Sequence, residues 1–122
     1  MIEDRPHVLL VEDDRDTREM YCEYLSYSGL NVTEASTGRS ALESVAQHCP
    51  DVVVTDIAMP DMDGLELSRR LRAQEPTRGV PIIAVSGQAS ERAREAGADV
   101  VLDKPCDPDK LLHVIEDVLR AR

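Results

Sequence analysis

Lysine is nearly absent from this chain: of 14 basic residues only Lys104 and Lys110 are lysines. A lysine at any one place is therefore a choice worth locating. Cysteine is sparse too. Cys22, Cys49 and Cys106 are odd in number, far apart and not in Cys-x-x-Cys spacing, which argues against a disulfide framework and a zinc site and leaves three reduced thiols. No apolar run approaches the roughly 20 residues of a membrane span. The first seven residues are polar and acidic, without the apolar core of a signal peptide, so a soluble, cytoplasmic protein is expected. An excess of positive charge is also missing. With 24 acids against 14 bases the net charge is -10, and the summed field repels phosphate backbones and anionic lipid, so neither direct nucleic-acid binding nor membrane association is expected.

The 122 residues, 42% of them apolar, suit one domain with one core, read as residues 1–122. Five short apolar runs recur: HVLLV at 7–11, NVTEA at 31–35, VVVT at 52–55, IIAV at 82–85 and VVL at 100–102. Four are near-continuous, the mark of strands buried on both faces in a parallel sheet. The second alternates through Val32 and Glu34, as an edge strand does. Helical spacing fills the gaps. Thr17, Met20, Tyr21, Tyr24, Leu25 and Ser28 define one face of a first helix, with a capping box from Asp16 to Glu19 and a stop at Gly29. Ala41, Leu42 and Val45 mark a second helix, Leu67 and Leu71 a third, and SERAREAG at 90–97 a short fourth. In the fifth, Asp107 caps, Pro108 takes the first position, and Leu111, Leu112, Ile115, Val118 and Leu119 form the apolar stripe. Strict β-α alternation predicts a doubly wound α/β fold with helices on both faces, and a ligand site at the carboxyl ends of the strands.

The residues that end the apolar runs are polar: Glu12, Asp13 and Asp14 after the first, Asp56 after the third, Ser86 after the fourth and Lys104 after the fifth. Asp14 and Asp16 read as helix caps. Carboxylates gathered in reduced dielectric repel one another, and the usual remedies are a raised pKa or a bound cation. Mg²⁺ suits such a set, since it takes one or two carboxylates together with phosphate oxygens. Lys104 and Ser86 would add a point charge and a hydroxyl donor for a phosphoryl group. Singly, each has an ordinary reading as a cap, a turn residue or a solvated loop charge; the combination carries the inference. An EF-hand with Gly64 at its sixth position would put Met59 first and Arg70 twelfth, which fails. A phosphatase that phosphorylates an aspartate after a strand wants an acid two positions later, where Ala58 stands.

These segments, LLVEDD at 9–14, VVVTDIAMPDMDG at 52–64, VSG at 85–87, AGAD at 96–99 and DKP at 103–105, together resemble the receiver domain of two-component response regulators over the whole chain. The resemblance implies a flavodoxin-like five-stranded parallel sheet of order 2-1-3-4-5 in three α/β/α layers. It also implies a phosphorelay role, in which Asp56 accepts a phosphoryl group from a sensor histidine kinase or a histidine phosphotransfer protein and so switches a downstream interaction. In that scheme Glu12 and Asp13 hold Mg²⁺, joined by Asp56 and the backbone carbonyl of Ala58. Ser86 and Lys104 bind the phosphoryl oxygens, the Lys104–Pro105 bond is cis, the first helix docks the kinase, and a phosphorylation-dependent dimer or output partner reads the result. Gln88 is one of the positions that tune loss of the phosphoryl group. No enzyme turnover beyond the chain's own phosphorylation and dephosphorylation is implied. Three departures stand out. Val101 occupies a usually aromatic switch position, Cys106 follows Pro105 where Phe is frequent, and the 18 positions from Ser86 to Lys104 are about four fewer than usual, roughly one helical turn. They keep open the alternative of a pseudo-receiver acting as a constitutive interaction module.

Overall fold

A computed structural model describes residues 4–87 and 91–121. Strands β1 (His7–Val11), β2 (Asn31–Ala35), β3 (Val52–Asp56), β4 (Ile82–Ser86) and β5 (Val100–Asp103) alternate with helices α1 (Arg15–Tyr27), α2 (Gly38–Gln47), α3 (Gly64–Ala73), α4 (Glu91–Glu95) and α5 (Pro108–Arg120). All strand pairs are parallel and the sheet order is β2-β1-β3-β4-β5. The five predicted strands are therefore present, with β2 at an edge.

Alternate side chains of each strand point to opposite faces, and the sequence fills both. Leu9, Val11, Val53, Ile82 and Ala84 pack with Ala41 and Val45 of α2, Leu65, Leu67 and Leu71 of α3, and Ala93 of α4. Val8, Leu10, Val52, Val54, Ile83 and Val85 pack with Tyr21 and Leu25 of α1 and with Leu111 and Ile115 of α5. The result is the expected three-layer α/β/α arrangement. No described helix is long and apolar enough to cross a membrane.

Several local expectations need correction. Asp14 caps α1 as expected, its Oδ2 accepting from the Thr17 backbone N–H at 2.9 Å and the Thr17 hydroxyl at 2.6 Å, but Asp16 is no cap and forms no capping box with Glu19, because the helix has already begun. Of the face assigned to α1 only Tyr21 and Leu25 are buried, while Met20 and Tyr24 are 42% and 37% exposed. Asp107 sits at the N-cap of α5 without a side-chain cap bond, leaving Pro108 to start the helix. Asp51, which the sequence did not single out, accepts the His7 N–H on its Oδ2 at 2.7 Å and ties the start of β1 to the start of β3. The fourth helix covers only Glu91–Glu95 among the described residues, with Gly97 turning out of it at φ 116°; Gln88 and Ser90 lie outside them.

Candidate phosphoacceptor and metal site

The neighbours β1 and β3 lie in the middle of the sheet, where the chain's winding reverses, and their pairing runs through Val11 opposite Thr55. The residues that follow, Glu12 and Asp56, thus emerge side by side at the carboxyl edge. This is the crevice where ligands of such sheets bind. Asp56 ends β3 and is 5% exposed, as is Glu12. Glu12 is held by its own backbone: its N–H donates to the Ala35 carbonyl at 3.0 Å, and its carbonyl accepts from Arg18 Nη1 at 2.9 Å. Its Oε2 accepts from the Asp14 N–H at 3.0 Å. Asp13 is exposed beside it.

On the other flank, β4 ends in buried Ser86, opposite Asp103 of β5. The next residue, Lys104, donates its backbone N–H to the Ser86 carbonyl at 2.8 Å and its Nζ to Asp56 Oδ2 at 2.8 Å. The Lys104–Pro105 bond is cis, as the resemblance implied. Ala58 lies exposed in the loop after Asp56. That loop is tied down by Ile57 N–H to the Val85 carbonyl at 3.2 Å and by Gly64 N–H to the Ile57 carbonyl at 2.8 Å. Asp61 takes a left-handed φ of 65°. Asp63 caps α3 by accepting from the Glu66 N–H at 2.9 Å, which gives it a structural task. Glu12, Asp13, Asp56, Ser86 and Lys104 thus converge on one edge, with Ala58 in the loop that follows Asp56.

The electrostatics of the site are unbalanced. Carboxylate oxygens of Glu12, Asp13 and Asp56 lie within 4.8 Å of one another. Burial, followed by the neighbouring Asp56 charge and a hydrogen bond with Asp13, pushes the Glu12 carboxyl up to about 7 against the opposing Asp14 N–H bond. Burial alone would lower the Lys104 ammonium pKa, but the Asp56 carboxylate outweighs it and the net direction is upward. Asp56 Oδ1 is buried without a hydrogen-bond partner among the described residues. An orphaned carboxylate oxygen next to two more carboxylates is a costly arrangement that a hard cation relieves, and an all-oxygen set fits Mg²⁺.

Two linked results follow from this cluster. Mg²⁺ at about ten times its Kd should stabilise the fold by roughly 1.4 kcal/mol, because the cation binds only the assembled carboxylates. Between pH 4.5 and about 7 the metal-free fold holds a proton on Glu12 that the unfolded chain has lost. Metal-free stability therefore falls as pH rises through that window, while Mg²⁺ competes with the proton and stabilises least at its acid end. Melting curves in EDTA and in Mg²⁺ across that range check both signs.

Arg18 was not anticipated as a support for Glu12; its contact is with a backbone carbonyl, which leaves no mark in the sequence.

The geometry agrees with what the chain is similar to. Residues 8–116 match the family model described as response regulator receiver domain. The response regulator MprA of Mycobacterium leprae is 40% identical over 115 residues, covering 93% of this chain and 50% of that protein; the chain spans about half the length of the MprA relatives it matches. Among solved structures, chemotaxis protein CheY4 of Vibrio cholerae superposes with a TM-score of 0.89 at 30% identity, covering 93% of this chain and 98% of that one. The receiver domain of sensor histidine kinase PA1611 from Pseudomonas aeruginosa, with a magnesium ion coordinated in its active site cleft, gives 0.87 at 31% identity, covering 95% and 98%. With the family match spanning nearly all of the sheet and its helices, and the strand order the same, the chain belongs to the response regulator receiver domains.

Proposed function

We propose that this receiver accepts a phosphoryl group on Asp56 from the phosphohistidine of a sensor histidine kinase or histidine phosphotransfer protein, in a Mg²⁺-dependent step, and that the modified form changes a downstream interaction. One observation carries the reading: a buried strand-end carboxylate with one oxygen on Lys104 Nζ and the other without a partner among the described residues, beside two further carboxylates. Glu12, Asp13, Asp56 and the Ala58 carbonyl would hold Mg²⁺, which when bound neutralises charge on the phosphoryl oxygens.

In the step itself an Asp56 oxygen attacks phosphorus as the phosphorus–nitrogen bond breaks, and the electron pair returns to the imidazole nitrogen, which takes a proton. Lys104 Nζ, already 2.8 Å from Oδ2, offers the incoming group a positive charge, and the Ser86 hydroxyl a second donor. Ala58 brings no carboxylate, so the chemistry is self-modification rather than turnover of external substrates. The donor protein docks on α1, where Met20, Tyr24 and Tyr27 stand exposed and, with Glu23 and Pro108, line a groove of about 660 Å³.

A pseudo-receiver that interacts constitutively is the second reading, favoured by Val101 at the switch position and by an α4 that covers Glu91–Glu95 among the described residues. Adding beryllofluoride and Mg²⁺ and following backbone amide shifts separates the two. A phosphoacceptor switch predicts shifts that spread from the site to α4, β5 and α5; shifts confined to the strand ends, or none, would favour the module.

A further inference from the structure

The chain has three tyrosines and no Phe or Trp, and of the three only Tyr21 is buried, 7% exposed. It lies on α1 among aliphatic neighbours, including Leu25, Val54, Val85, Leu111 and Ile115. A leucine would supply apolar bulk there without a hydroxyl to satisfy. A hydroxyl in such surroundings costs free energy unless it is bonded. Tyr21 meets that cost with a single long-range contact: its hydroxyl donates to the backbone carbonyl of Cys106 at 2.6 Å, across 85 positions of sequence. Burial raises the phenol to about 12, so the hydroxyl stays a donor at neutral pH.

The position of that carbonyl matters. Cys106 is two residues past Lys104, in the short loop from β5 to α5. The loop is held on its β5 side where the Lys104 N–H meets the Ser86 carbonyl at 2.8 Å, and near its α5 side by Tyr21. Between these two anchors stands the side chain whose ammonium must meet Asp56 at the end of β3. A lysine side chain has many rotamers open to it. It delivers its charge to one place reliably only if its backbone is fixed. The same helix begins at Arg15, two residues past Asp13, so α1 joins the acidic side of the site to the loop bearing the lysine.

We propose that Tyr21 is a positioning residue, its hydroxyl fixing the β5–α5 loop at Cys106 so that Lys104 Nζ meets Asp56 and the phosphoryl group that Asp56 accepts. The second half rests on the phosphoacceptor reading; the first does not.

Because there are only two lysines, lysine-selective ¹³C labelling gives two Cε signals, one of which, Lys110, is an internal control. The displacement of the Lys104 signal caused by Asp56→Asn is measured in the otherwise native chain and in Tyr21→Phe. Positioning predicts that Tyr21→Phe, folded and lacking one oxygen, cuts this displacement by more than half while Lys110 stays put. It also predicts that phosphorylation of Asp56 by a small phosphodonor at saturating Mg²⁺ slows by roughly tenfold or more, with the Kd for Mg²⁺ unchanged and no further slowing when Tyr21→Phe is added to Lys104→Ala. A role in packing alone would lower the melting temperature yet leave the Lys104 displacement and the rate at native values well below the melt, and that result overturns the proposal. Tyr21→Leu, read by the same signals, serves if the Phe variant does not fold. Should the native chain take no phosphoryl group, the proposed function fails, and the Lys104 signal still decides the positioning.

Discussion

Gly64→Ala should destabilise the protein by about 1–3 kcal/mol, towards the upper end of the usual overpacking range. A Cβ at Gly64 would stand 2.3 Å from the Asp56 carbonyl oxygen and 2.9 Å from Ile57 Cα. Both obstacles are backbone, so no side chain can turn aside. Gly64 is also the first residue of α3, and its N–H donates to the Ile57 carbonyl at 2.8 Å, so pushing the helix away breaks a bond as well. Against this, Ala gains about 0.5–1 kcal/mol over Gly by propensity within a helix, less than the clash costs. The strand end that must move carries Asp56 and leads to Ala58. Loss of stability, read from urea unfolding, should therefore be accompanied by slower phosphorylation of Asp56 under conditions where the variant is still folded. A variant as stable and as fast as the native chain would mean that the close approach of α3 to the strand end does not hold.

Lys104→Ala should produce the second large effect, and one that depends on the cation present. The variant leaves Asp56, 5% exposed, without its lysine partner while Oδ1 already lacks one among the described residues. Removing one member of a fully buried pair costs about 3–5 kcal/mol. The Lys104 side chain is 38% exposed, which reduces the expected loss to about 1–2 kcal/mol in EDTA. Mg²⁺ should recover much of it, since three carboxylates with no lysine attract a cation more strongly than three with one. Urea unfolding with and without Mg²⁺ reads this directly: the Mg²⁺ increment should be larger in the variant than in the native chain. Equal increments would show that Lys104 and the cation do not share the same carboxylates. In Mg²⁺ phosphorylation should slow as well, because a positive charge that would meet the phosphoryl oxygens is gone.

The sheet was legible because burial writes itself into sequence: runs such as HVLLV and VVVT must be apolar on both sides when helices cover both faces. The site was legible for a related reason, since polar residues that end such runs fall on one edge whatever lies between them. Helix ends and faces were less so. Asp14, not Asp16, caps α1, a choice set by the backbone angles of Asp14 (φ -75°, ψ 118°), and three acids stood in the same few positions to compete for it. Met20 and Tyr24 precede Tyr21 and Leu25 by one position, about 100° round the helix, and a periodic stripe broad enough to include both pairs could not say which faced the sheet. Asp51 and Tyr21 show the remaining gap. Each makes its contact with a backbone group distant in sequence, and backbone partners are alike in every residue.

On the proposed function Asp56 is the nucleophile of a Mg²⁺-dependent phosphoryl transfer. Incubating the protein with a small phosphodonor in Mg²⁺, then mapping the mass change by peptide, tests it most directly. The expected result is a single phosphoryl adduct on Asp56, labile to hydroxylamine, absent in EDTA and absent in a folded Asp56→Asn variant. No adduct on a folded, Mg²⁺-loaded chain, or an adduct that persists in Asp56→Asn, would contradict the account.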